Sequence, residues 1–482
     1  MTDYRRRFII QSAGAGALLS AWPYRPTAGS EPAAPASPLA LSSDALLLET
    51  QRRTFRYFWE TTEASRGLAP DFAPGPSPAS VAAMGFALTA VPIGIEHGWI
   101  TREAGAQRVA NTLRFLWEAP QGSSAQGCAG YKGFFYHFLD MASGTRYRNS
   151  ELSSIDTALL LMGVRCCGQY FVGDDATEHT IRSQADALCE RVEWRWLQVR
   201  GARISMGWQP ESGFLPADWV GYCEAMPLYL LALGSVANPV GPDAWNAWTA
   251  GYSKNWGTVQ GIEHLTYSSA FIHQFPQVWL DLKGPADAYM RERRLDYFEN
   301  SRRAVLSQQS YGNANPLAWQ GYAADVWGLS ACDGPVNLWL PYRGESRHFR
   351  TYAARGVGLI PQNNYDDGTL TPAAALGSLP FSPDLVTAAA MGTYNRFGSV
   401  VFGDYGFLDS FNPSFTYDVP LHSGRRVGEL GWVDTRYYGI NQGPIIAMIE
   451  NHKSGLIWRV MRKDPVMRRG LLRAGFTGGW LG

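Results

Sequence analysis

Charge is scarce in this sequence, and what there is cancels. Asp, Glu, Lys and Arg make up 17% of the 482 residues, with 42 acids against 42 bases and no formal net charge. Nucleic-acid binding needs a basic excess on one face, so that partner is excluded. Cysteine is sparse too: Cys128, Cys166, Cys167, Cys189, Cys223 and Cys332 form no CxxC pair, which excludes zinc-ribbon and thioredoxin chemistry. The sequence has no G-x-S-x-G elbow, no G-x-x-x-x-G-K-[ST] loop and no H-E-x-x-H pair. Gly356-Val357-Gly358 has no third glycine, and the eight histidines stand apart from one another. No metal and no organic cofactor is therefore expected. Beyond the amino terminus no apolar run approaches the roughly 18 residues of a membrane-spanning helix.

Aromatic residues are what the chain has in excess. They make up 13%, including 18 Trp and 23 Tyr, a composition that disordered chains do not have. The amino terminus stands apart. Tyr4-Arg5-Arg6-Arg7-Phe8-Ile9-Ile10, a weakly apolar run to Ala21 and a Pro/Ala-rich stretch to Pro38 match a twin-arginine export signal and its linker. Residues 1–38 are thus expected to be signal and linker. Residues 39–482 are expected to form a single domain, periplasmic or secreted. Folding before export, in a reducing cytosol, leaves few or no disulfides.

From Ser42 onward the dominant period is helical. Ser42 or Ser43 caps a helix with Leu48, Phe55, Phe58 and Trp59 on one face. Val81 to Glu96 follows, then a Thr101-capped helix carrying Val109, Leu113 and Leu116. Helices are also expected over 152–171, 177–196, 222–233, 242–256, 268–280 and 287–311, from Pro383 to about Phe397, and over 443–453, the last of them. Gly122 to Ser150 and Ile204 to Leu215 read as loops with small hairpins, and Asn313 to Thr371 as mostly irregular. No strand–helix alternation is visible, which argues against a doubly wound sheet. Eleven or twelve helices in consecutive pairs suggest an all-α architecture, the (α/α)6 barrel, with hairpin inserts in loops at one end.

The chemistry left by these exclusions is that of carboxylates among aromatic rings and glycines, as glycosidic bond cleavage requires. Glu224 opens a very apolar helix, where burial raises a carboxyl pKa and the helix N-terminus lowers it. Asp409 sits in the turn-rich segment 406–413. Glu151, Asp156 and Asp333 are further loop-borne acids, each with a plainer reading as a helix-end charge, a loop hydrogen bond or an Asp-Gly turn. Tyr131 to Phe138 either lines a sugar site, with Lys132 and His137 as donors, or packs on the core. Trp208 and Trp432, beside glycines in loops, are better placed to stack on a sugar than Trp194, Trp196, Trp245 or Trp248.

Seven segments together carry a resemblance. They are Thr54 to Glu60, Tyr131 to Phe138, Glu151 to Thr157, Gly221 to Ala225, Ala331 to Pro335, Asp409 to Pro413 and Asn441 to Pro444. In order and content they resemble the bacterial glucoamylase-like domain family, glycoside hydrolase family 144 and its relatives, from about Leu48 to Arg459. The resemblance implies an (α/α)6 fold and hydrolysis of β-1,2-glucan or its oligosaccharides with inversion at the anomeric carbon. By position it implies Glu224 as general acid and Asp409 as base. Lys132, His137, Glu151, Asp156, Trp208, Tyr222, Asp333, Trp432 and Gln442 would line the substrate site. Cys223 departs from the pattern, which has a polar residue beside the acid. Two other readings stand beside this one: a retaining transglycosylase or hydrolase of another β-glucan, and a periplasmic glycan-binding protein without turnover. Either way the partner is a glucan, with no nucleic acid and no membrane insertion once the signal is removed.

Overall fold

The structure, a computed structural model, describes residues 41–482. Residues 1–38, expected to be signal and linker, lie outside the described residues.

Six helix pairs follow one another along the chain: α1 (Ser43–Thr61) with α2 (Val81–Glu96), α3 (Arg102–Glu118) with α4 (Ser154–Tyr170), and α5 (Ala176–Glu190) with α6 (Met226–Gly234). Next comes α7 (Asp243–Thr249) with α8 (Phe271–Trp279). After the short α9 (Ala288–Glu292) come α10 (Tyr297–Ala314) with α11 (Pro372–Leu376) and α12 (Pro383–Val401) with α13 (Gly439–Lys453). The first helix of each pair is amphipathic: α1, α3, α5, α7, α10 and α12 each bury one face. The second is buried all round. Every residue of α6, α8 and α11 is inaccessible, as is nearly every residue of α2, α4 and α13. A helix apolar on all sides belongs in the interior. The six second helices therefore form an inner ring, in which α2 packs on α4 and α13, α4 on α6, and α13 on α8 and α11. The amphipathic helices form the outer ring, and the fold is the expected (α/α)6 barrel. Short helices α14 (Leu456–Met461) and α15 (Pro465–Arg473) cover it, α15 against α6 and α14 against α4, α8 and α13.

Loop length separates the two ends. Most inner-to-outer connections are brief: 97–101, 171–175, 235–242 and 377–382. Outer-to-inner connections are long: 62–80, 119–153, 191–225, 250–270, 315–371 and 402–438. All six long ones deliver the chain to the N-terminus of an inner helix, so one rim carries nearly all the irregular chain. Ser80 and Ser153 cap two of those inner helices by accepting from the Ala83 and Asp156 amides.

Several expectations need correction. Leu48 is 44% exposed, and Leu46 and Leu47 take its place in the core. The hairpins expected near 122–150 and 204–215 are parts of one five-stranded antiparallel sheet, ordered 130–131, 134–136, 152–153, 207–209 and 213–214. The stretch read as irregular holds a regular hairpin, Leu338–Tyr342 against Glu345–Phe349. The 287–311 helix is two, broken between Glu292 and Tyr297. Lys453 does not end the last helix, since α14 and α15 follow. All six cysteines are free thiols. No helix among the described residues is long and apolar enough to cross a membrane.

Candidate active site

The acids singled out in the sequence all lie on the long-loop rim. His137 sits where two inner helices begin: its carbonyl accepts the Val81 amide at the start of α2. Its Nδ1 lies 2.7 Å from Glu151 Oε1, just before α4, and its Nε2 lies 3.6 Å from Asp156 Oδ1, in the first turn of α4. Burial alone would lower the imidazole pKa, but the Asp156, Glu151 and Asp71 carboxyls overcome it and push it up to about 9. His137 therefore holds its proton at neutral pH, between the Glu151 and Asp156 carboxyls. These three side chains also bring ligand-type atoms within 4.8 Å of one another, so they could hold a cation. The imidazolium already supplies the positive charge there.

Asp409 is the centre of a second cluster. The carboxyl is 1% exposed. Its Oδ1 accepts from Asn441 Nδ2 at 2.6 Å and its Oδ2 from the Asp333 amide at 2.8 Å. Thr371, before the first residue of α11, donates its hydroxyl to the Asp409 carbonyl at 2.7 Å. Burial pushes this carboxyl up to about 7, against the two donors, which favour the anion. Asp333 Oδ2 accepts from Ser423 Oγ at 2.7 Å and Tyr438 Oη at 3.3 Å. Behind them lies a fully buried bidentate pair, Arg355 with Asp367, at 2.8 and 2.9 Å. Arg355 Nη1 also donates to the Cys332 carbonyl at 2.7 Å, which holds the strand that presents the Asp333 amide.

Asp71, Asp434 and Arg436 join the clusters. Asp71 is raised to about 6 by burial, and feels His137 and Asp156 on one side and Asp333 and Arg436 on the other. It therefore places the two groups of carboxyls beside each other. Asp434 is fully buried, and burial with its neighbours Asp333 and Asp409 pushes its pKa well up. Arg436 lies over the Phe72 ring at 4.5 Å and 3.8 Å from Asp333 Oδ2. Phe72, Tyr352 and Tyr438 form a run of rings at this spot, with centroids 5.4 and 5.9 Å apart.

Glu224 stands just before α6. Gly221, at φ +75°, donates its amide to the Trp248 carbonyl at 2.6 Å. Tyr222 Oη pairs with His273 Nδ1 at 2.9 Å, and Cys223 Sγ accepts the Trp248 indole N–H at 3.4 Å. The bend is thus pinned on both sides. Of residues 221–225, only Glu224 keeps access to solvent. Trp219 donates its indole N–H to Ser154 Oγ at 2.9 Å, which joins this loop to the α4 N-terminus near Asp156.

The remaining expected site residues divide. Trp208 is half-buried and forms a ring cluster with Tyr131 and Trp196, at 5.5 and 5.6 Å. Lys132 pairs with Glu193 at 2.7 Å. Tyr222 is a buried core phenol. Trp432 is 0% exposed, with its N–H given to the Ser423 carbonyl, so it offers no face for stacking. Gln442 bonds Thr54 and the Phe407 carbonyl, at 3.3 and 3.0 Å. It braces α13 to α1 rather than facing the acids. Cys223 is turned toward Trp248, not toward the site. Asn441, Asp71, Asp434, Arg436 and Tyr438 were missed in the sequence. Only Asn441 had a signal, as the neighbour of Gln442 in a quoted motif.

The chain is thus an (α/α)6-barrel protein with buried carboxyls and rings gathered on its long-loop rim. Residues 216–465, just over half the chain, match the family described as “Putative glucoamylase”, and the chain belongs to that family. It is 27% identical to an exo β-1,2-glucooligosaccharide sophorohydrolase (non-reducing end) from Parabacteroides distasonis, across 89% of this chain and 58% of that protein. The chain thus spans little more than half of that relative's length. Among solved structures, the endo-β-1,2-glucanase of Chitinophaga pinensis, in complex with sophorotriose and glucose, is 26% identical with a TM-score of 0.77. It aligns over 92% of this chain and all of its own. A Bacteroides uniformis protein described as “a putative glucoamylase” is 28% identical, with a TM-score of 0.77 over 92% of this chain and 99% of its own.

Proposed function

We propose that this chain is a glycoside hydrolase that cleaves β-1,2-glucan or its oligosaccharides with inversion, Glu224 acting as the general acid and Asp409 as the base. The observation that carries the reading is the Asp409 carboxyl. It is buried, held by two N–H donors, and raised to about 7. A base works best with a pKa near the working pH. Glu224 is the accessible residue of a pinned bend at the N-terminus of another inner helix, after one of the long loops. Two relatives that act on β-1,2-linked glucose, one an exo-hydrolase and one an endo-hydrolase, support the substrate.

In this mechanism Glu224 protonates the leaving glycosidic oxygen. A water attacks the anomeric carbon from the opposite face and its proton passes to Asp409, directly or through a substrate hydroxyl. His137, Glu151 and Asp156 offer hydrogen bonds to sugar hydroxyls, and Phe72, Tyr352 and Trp208 offer ring faces. Export through the twin-arginine segment would put the enzyme where extracytoplasmic glucans are found.

The test is hydrolysis of linear β-1,2-glucan with the products followed by NMR. Wild type should release first product in the α-anomeric form. Glu224→Gln and Asp409→Asn should each lose about 10²–10⁴-fold in kcat. Full activity in either variant sinks that assignment, and a β-anomeric first product would favour the retaining alternative.

A further inference from the structure

The connection that carries Asp333 continues into the hairpin Leu338–Tyr342/Glu345–Phe349, in which Trp339 pairs with His348 across the strands. One face of this hairpin is anchored. Tyr342 stacks on Trp319 at 4.2 Å and gives its hydroxyl to the Ala318 carbonyl at 2.7 Å. Phe349 is buried against Trp319, Phe415 and Tyr417. Alternation along the strand turns Trp339 to the opposite face. It is 67% exposed, equalled only by Val236 among the large apolar residues described.

That indole is held flat. It stacks on the His348 ring with centroids 4.7 Å apart and planes 11° apart. Both imidazole nitrogens are engaged: Nε2 with Asn337 Oδ1 at 2.8 Å, and Nδ1 as acceptor from Arg350 Nε at 3.3 Å. The acceptor role of Nδ1 puts the proton of the neutral ring on Nε2, which donates to Asn337. The result is a rigid, solvent-facing ring edged by an amide and a guanidinium, a combination that binds the C–H face and hydroxyls of a sugar. Nothing in the core needs a tryptophan there.

Its position ties it to the cleft. The hairpin leaves the site only a few residues after Asp333, and its return strand comes back to it. The Arg350 carbonyl packs against Gly334 so tightly that an added Cβ would lie 2.2 Å away. Six residues of extended chain separate Asp333 from Trp339, a reach of at most about 20 Å. That keeps the ring within a few sugar lengths of the acids, in reach of a glucan that also occupies them.

We propose that the Trp339–His348 face is a distal subsite, where a glucosyl ring of a long glucan stacks while another part of the same chain occupies the acids. The proposal rests on the glucanase reading and adds a device that selects for chain length. The test compares kcat/KM for linear β-1,2-glucan of about twenty units with that for the shortest oligosaccharide cleaved. In Trp339→Ala the polymer-to-oligosaccharide ratio should fall about tenfold, a typical loss for one aromatic contact, through KM rather than kcat. Trp339→Phe should recover part of it. An unchanged ratio in Trp339→Ala overturns the subsite. If wild type cuts no β-1,2-glucan, the glucanase reading fails by itself, and the platform is then read by indole fluorescence titration with β-1,2- and β-1,3-glucan. A saturable change in wild type that Trp339→Ala lacks upholds it, and identical titrations overturn it.

Discussion

A buried carboxyl must choose between its proton and its charge, and at Asp409 the two are closely matched. Burial favours the proton, while the Asn441 amide and the Asp333 backbone N–H favour the anion, which leaves the pKa at about 7. If Asp409 is the base, activity requires its ionised form, so the acid limb of kcat/KM should bend near pH 7. Asn441→Ala removes the stronger of the two donors. The Asp409 pKa should then rise and the acid limb move to higher pH, with the plateau less affected than the midpoint. A pH–rate profile on the glucan checks this, and an unmoved midpoint would detach Asn441 from the base. The same raised pKa has a stability consequence of definite sign. The folded form holds the Asp409 proton more tightly than the unfolded form, so this group's contribution is full below about pH 4 and is lost as pH rises through 7. His137, raised to about 9, stabilises fully below its unfolded value near 6.5 and less as pH climbs through 9. Asp71 and Asp434 went unmarked in the sequence, while Asp409, Asp333, Glu151 and Asp156 were legible as acids amid aromatics and glycines, the last three each with a plainer structural reading beside it. Their partners were not. Gln442 and Asn441 are neighbours, and which one faces the acids depends on where the helix begins. The sequence pattern starts it at Gly443, whereas α13 starts at Gly439, so the orientation of the first turn was hidden.

At the scale of helices, the alternation of amphipathic and fully apolar segments is the code for two concentric rings. Most of it can be read from periodicity and caps. The five-residue α11 is too short to show a period, and strands of two or three residues pair across more than 50 residues, as Leu152 does with Trp208, which no local pattern records. Close approach of inner helices is carried by glycine. An added Cβ at Gly85 of α2 would lie 2.3 Å from the Leu159 carbonyl oxygen of α4, and one at Gly163 of α4 would lie 2.1 Å from the Gly85 carbonyl oxygen. Backbone atoms cannot swing aside as a side chain can, so Gly85→Ala forces the helices apart. The gain in helix propensity, about 1 kcal/mol, is offset by an overpacking cost of about 1–3 kcal/mol. A net loss of stability is expected, seen as a lower denaturation midpoint. A midpoint at or above that of wild type would mean that α2 and α4 can separate at no cost.

A toroid must also close, and here closure joins parts of the chain almost 400 residues apart. Glu450, in the last turns of α13, is 3% exposed. Its Oε2 accepts from Gln51 Nε2 of α1 at 2.7 Å and lies 2.8 Å from His97 Nε2, in the turn after α2. One carboxyl thus gathers the first helix pair onto the last inner helix. At the opposite end of α13 the same seam is closed by the short pairing of Phe72 and Ala73 with Tyr438 and Tyr437, and this brings Asp71 beside Arg436 and Asp333. Both ends of one helix must therefore be seated for the carboxyl clusters to assemble. Glu450→Ala strands the buried Gln51 amide and leaves the part-buried His97 ring without its carboxyl partner, and should cost about 2–4 kcal/mol. The exposed Arg56–Glu60 pair on the outer face of α1 is the control, and Glu60→Ala should cost no more than about 0.5 kcal/mol. Chemical denaturation followed by tryptophan fluorescence separates the two. Activity measured across the same denaturant series tells whether the seam also sets the site. If the ring opens at this seam first, glucan hydrolysis in Glu450→Ala should fall at a lower denaturant concentration than the bulk fluorescence. Loss of both signals together would mean that the barrel opens as one cooperative unit.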